Sequence, residues 1–63
     1  MVYYINIYAK DKTGKTEYLW GGDISILPRV GDTILFYHKY KVVEVVLHWL
    51  APGDVTIYVE REE

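Results

Sequence analysis

Apolar residues alternate with polar ones, or run together with β-branched and aromatic neighbours, in five short segments bounded by Gly, Pro, Asp or Lys clusters. This pattern predicts an all-β protein. In the first segment, Val2 to Ala9, a period of two places Tyr3, Ile5, Ile7 and Ala9 on one face. Val2, Tyr4, Asn6 and Tyr8 then share the other. The polar loop KDKTGK, residues 10 to 15, follows, with Gly14 able to supply a positive φ.

The second segment, Thr16 to Trp20, sets Tyr18 and Trp20 against Glu17 and Leu19, and Gly21-Gly22 reads as its end. Residues 22 to 32 show no helical stripe and contain Pro28, so a loop is expected to cross there to the second half of the sheet. Gly31-Asp32 turns the chain into a third strand, Thr33 to Tyr37, and a turn near His38-Lys39 leads into the longest apolar segment, Tyr40 to Trp49. Strict alternation there groups Val43, Val45, Leu47 and Trp49 against Val42, Glu44, Val46 and His48, whereas a bulge near Glu44 reassigns half of them. Pro52-Gly53 fits a type II turn, and Val55 to Val59 is the last strand, with Val55, Ile57 and Val59 inward. Hairpin, long loop, hairpin and last strand together predict one domain over residues 1 to 63. Its expected form is a five-stranded antiparallel sheet, closed into a small SH3-like barrel or strongly bent.

Size changes the picture, because a domain of about 60 residues buries only about 60% of the surface its unfolded chain exposes. Some further source of stability is expected. Disulfides are excluded by the absence of Cys, and His38 and His48 have no thiolate or close-spaced partner, so no metal and no cofactor is expected. Self-association or very good packing remains, and a homo-oligomer is the expected state. The N-terminal residues lack the pattern of a signal peptide and no apolar run approaches the roughly 18 residues of a membrane span, so a cytoplasmic location without a membrane partner is expected.

The net charge of −2 arises at the C-terminus, where Glu60, Glu62 and Glu63 face only Arg61. The chain before them balances six basic residues with six acidic ones, which weighs against nonspecific nucleic-acid binding.

Candidate chemistry is sparse. Ser25 is the only Ser and has no His at a suggestive spacing, phosphate-loop fingerprints are missing, and Glu44 with Asp54 cannot be told from surface charge, so no catalytic residue is assigned and no enzyme is expected. Tyr37, His38, Lys39 and Tyr40 could stack a base and grip a phosphate, with Arg29 expected in a neighbouring loop. The same tetrad serves equally as a hairpin tip. Seven tyrosines and two tryptophans exceed what one small core can hide. Tyr4, Tyr8, Tyr58 and one of Tyr18 or Trp20, here Trp20, are therefore assigned to a self-association face, where amphipathic rings are useful. The alternative is an outer barrel face on which Tyr serves strand propensity.

The pattern P-R-V-G-D, then T-I-L-F, a short turn and Y-K-V-V-E-V-V resembles an arrangement in short bacterial and phage proteins with small β-barrel folds. It covers residues 27 to 47, extending to the strand Val55 to Val59. The resemblance implies that Thr33 to Phe36 pairs with Lys41 to Val46 and that Tyr40 plugs the barrel end. Phage-borne proteins of this kind include inhibitors of host defence that bind a host protein or sequester a signalling nucleotide. The expected function is accordingly a non-catalytic binding module, self-associating, that engages a protein partner or a small anionic ligand. A nucleic-acid-binding barrel using Lys10, Lys12, Lys15, Lys39 and Lys41 with Tyr37 and Tyr40, or a structural assembly subunit, are the alternatives.

Overall fold

The computed structural model describes residues 2–62. Five strands make one sheet: β1 (Tyr3–Lys10), β2 (Thr16–Ile24), β3 (Thr33–Phe36), β4 (His38–Leu47) and β5 (Asp54–Arg61). Their order across the sheet is β2-β1-β5-β4-β3. The protein is all-β, and the sheet curls through 203°, a half-barrel with β2 and β3 as its edges.

One expectation is overturned by topology: the sheet is mixed, because β1 pairs β5 in parallel over the register Tyr4↔Asp54 to Lys10↔Glu60. Every other pairing is antiparallel. A parallel pair needs a crossover. Residues 25–32 supply it by carrying the chain from the β2 edge to the β3 edge. Eight residues reach at most about 27 Å when extended, and the curl of the sheet brings the two edges within that span. Leu27 of this loop packs against the core.

The inward faces of the two central strands follow the period of two. Ile5 and Ile7 of β1 and Val55, Ile57 and Val59 of β5 are buried, joined by Tyr40 and Val42 of β4. In β4 the bulge falls at Val43: Val42 faces Val59 while Glu44 faces Tyr58 and Val45 faces Ile57. The extra residue keeps both Val42 and Val45 toward the core and leaves Glu44 and Val46 outside.

A second bulge, at Leu19, was not foreseen. Tyr8 pairs Tyr18 but Ile7 pairs Trp20, so Tyr18 and Trp20 point to opposite faces. The strand also continues through Gly21-Gly22 to Ile24 instead of ending there. Both glycines serve as seats for rings. A Cβ on Gly22 would lie 2.7 Å from the indole of Trp20, and one on Gly21 would collide with the Tyr18 hydroxyl, so an aromatic ring lies over each glycine, on opposite faces.

The β3–β4 reversal is tighter than expected. Thr33–Phe36 pairs with His38–Lys41, not with residues 41 to 46, and Tyr37 alone makes the turn. It does so at φ 61°, in the left-handed region that disfavours an L side chain.

Candidate functional site

The residues first assigned to an anion site do not assemble. Tyr40 is buried in the core. The His38 Nδ1 lies 3.0 Å from an Arg61 guanidinium nitrogen. Tyr37 is 90% exposed and rests edge-on against Phe36, ring centroids 4.9 Å apart. Lys39 faces Leu35 across the pair, and its carbonyl accepts from the Glu62 N–H at 2.8 Å. Arg29 belongs to the turn before β3: its N–H donates to the Asp32 carboxylate at 2.9 Å, and its carbonyl accepts from the Asp32 N–H at 3.0 Å. Gly31 and Val42 tie that turn to β4 through Gly31 N–H to Val42 C=O, 2.9 Å. Four residues of β3, about 13 Å of strand, thus separate Arg29 from Tyr37.

The tyrosines separate by face. On the convex side Tyr18, Tyr8 and Tyr58 form a row across β2, β1 and β5. Tyr8 meets Tyr18 edge-on at 5.4 Å and Tyr58 at 5.9 Å between centroids. Lys10 Nζ sits 4.6 Å from the Tyr58 ring centre and 3.4 Å from a Glu44 carboxylate oxygen, closing the row at β4. Cross-strand contacts of this kind stabilise a sheet by a few tenths to about 1 kcal/mol each, while the exposed ion pair adds little. Tyr8 and Tyr58 are consequently half-buried by their own neighbours. Tyr4 lies two rows along, exposed, between Asp23 and Asp54. Trp20, grouped with them on the sequence, points the other way.

The concave side presents a different surface. Between the two sheet edges lies a groove of about 290 Å³. Its floor is Ile5, Ile7 and Val59, and Leu19 and Trp20 make the β2 wall. Ile34, Phe36 and Tyr40 make the opposite wall, and the crossing loop contributes Ile26 and Pro28 to its rim. Among the described residues no charged side chain lines it. Ile26 stands 82% exposed above the opening.

A third feature is the β4–β5 loop. His48 C=O accepts from Ala51 N–H at 3.1 Å, Ala51 C=O from Asp54 N–H at 3.0 Å, and Gly53 C=O from Tyr4 N–H at 2.8 Å. Backbone bonds and one side-chain bond, between His48 Nε2 and the Thr56 hydroxyl at 2.7 Å, hold this loop to β1 and β5, and the two side chains after His48 project. Trp49 is 91% exposed and Leu50 is 95% exposed. Neither the groove nor this tip was identified on the sequence. The run Leu47-His48-Trp49-Leu50 before Pro52-Gly53 was the available signal, obscured because Trp49 was read as the end of a strand.

Among the described residues no three His, Cys, Asp or Glu side chains gather closely enough to hold a metal, and no helix is long and apolar enough to cross a membrane. Comparison with protein-family models, with curated proteins and with solved structures finds no match.

Proposed function

We propose that this chain is a non-catalytic binding module that works as a self-associated unit, with the concave apolar groove as its contact face. The observation carrying this reading is the size of its surface. A folded monomer of 7.4 kDa exposes about 4,200 Å², yet this chain exposes 4883 Å². The surplus of about 700 Å² is close to the roughly 800 Å² that each partner buries in a standard protein interface.

Apolar contact also fits better than recognition of an anion, since Arg29 lies at the other end of β3 from Tyr37 and Tyr40 is buried. A protein partner is therefore favoured over a sequestered nucleotide, in keeping with the host-protein inhibitors that the resemblance implies. Light scattering across a dilution series tests the self-association: a mass of twice 7.4 kDa falling toward 7.4 kDa on dilution is expected. A mass that stays at one chain up to millimolar concentration refutes it.

A further inference from the structure

Resting on the self-association just proposed, we infer that the Trp49–Leu50 tip of one copy seats in the concave groove of a second copy, reciprocally, so that a two-fold pair fills both grooves. The chain carries an apolar projection at this loop and an apolar hollow between its sheet edges. Trp49 and Leu50 project from the loop with almost their whole surface in water, and large exposed aromatic and aliphatic groups of this kind act as interface anchors. The hollow matches them in size and chemistry. A dry apolar cavity of about 150 Å³ accepts benzene, so about 290 Å³ suits an indole with a leucine side chain beside it. It falls just below the range of about 300–1,000 Å³ typical of cofactor and small-ligand pockets.

Charge selects the occupant of the groove and the target of the tip. Residues 42 to 60 contain no Lys or Arg, and Asp23 and Asp54 flank Tyr4 at the base of the tip. An anionic membrane surface attracts basic segments, and this tip offers none. The uncharged groove of another copy exacts no such electrostatic cost. Area agrees with that choice: the surplus surface of about 700 Å² is what one side of a standard two-chain interface removes. Reciprocal seating also closes the assembly. A head-to-tail arrangement of the same parts would leave a free tip and a free groove at its ends and propagate.

The absence of Cys makes the test specific. Leu50→Cys and Ile26→Cys chains are prepared separately, mixed, and joined with a short bismaleimide, with Lys12→Cys in the opposite loop replacing Ile26→Cys as the control. A cross-linked L50C–I26C pair, at least five-fold above the L50C–K12C product, is expected. Light scattering that reports pairs while L50C–I26C does not exceed the control overturns the seating and leaves self-association standing. A single-chain mass at every concentration overturns both. The unmodified chain provides a second reading that needs no variant: acrylamide quenching of tryptophan emission must fall as concentration crosses the association midpoint. Quenching that stays constant while the mass doubles also overturns the seating.

Discussion

The loops at the two ends of the long axis solve the same problem, reversing the chain between neighbouring or nearby strands, with opposite residues. In the β1–β2 loop the Asp11 carboxylate accepts from the Thr13 N–H at 2.8 Å, the Thr13 hydroxyl at 2.6 Å and the Lys15 N–H at 3.0 Å, and Gly14 takes φ 87°. Each of those side chains is used by the loop itself. In the β4–β5 loop the backbone and the His48–Thr56 bond make the turn, and Trp49 and Leu50 stand almost wholly in water. A small domain with little stability in reserve does not gain by exposing an indole. The contrast teaches where the molecule's own needs end: Asp11 and Thr13 of the first loop serve folding, and Trp49 and Leu50 of the second are left to the solvent.

Substitutions sharpen that contrast when ranked by their effect on the dilute, unassociated chain. Ile57→Ala sets the ceiling. Ile57 is fully buried on the central strand, and such truncations cost about 2–5 kcal/mol, enough to leave most of a 63-residue chain unfolded in thermal or urea denaturation. Gly14→Ala should cost about 1–2 kcal/mol, since an L residue at φ 87° meets the left-handed penalty. If the urea midpoint does not move, the polar loop is not serving the fold.

Tyr37→Gly should act in the other direction. It relieves a penalty of about 1–2 kcal/mol and gives up an exposed ring contact with Phe36 worth about 0.5 kcal/mol, so a net gain of about 0.5–1.5 kcal/mol is expected in the same assay. The double change Trp49→Ser with Leu50→Ser should stay within about 0.5 kcal/mol of the parent. A larger loss would break the comparison by showing that the apolar tip supports its own fold.

The smallest effect is on pH dependence. The Thr13 hydroxyl holds the Asp11 carboxyl below its ordinary value; desolvation opposes this, and the backbone N–H groups of Thr13, Lys15 and Gly14 add to the lowering. A depressed carboxyl stabilises the fold above its unfolded value of about 3.9 and loses that contribution as pH falls through the folded value. Asp11→Asn should therefore flatten the acid limb of stability against pH while leaving the neutral plateau slightly lower.

Much of the fold was legible because a period of two is a local signal. The inward sets Ile5, Ile7 and Val55, Ile57, Val59 emerged directly, as did Gly14 and the Gly31-Asp32 turn. What escaped depends on relations between distant residues. The parallel β1–β5 pair leaves no trace in any turn, because turns report only the strands they join. The Leu19 bulge reversed Trp20 without altering local composition, and Gly21-Gly22 resembles a turn unless the rings of Tyr18 and Trp20 are seen lying over it. The candidate groove is a product of curl and crossover, so no contiguous stretch announced it. Arg29 and Tyr37 are only eight residues apart in sequence, yet β3 runs extended between them and keeps them at its two ends.

The place of β5 has a consequence for how the chain is made. Of the five strands of this sheet, the last in chain order lies in its middle, bonded to β1 on one side and β4 on the other. Until it emerges from the ribosome, the two hairpins on either side have no edge in common, and an isolated hairpin is at best marginal in water. Translation at about 5–20 residues per second therefore delivers the first four strands of this sheet with no pairing across its centre, their apolar faces waiting for β5 to join them.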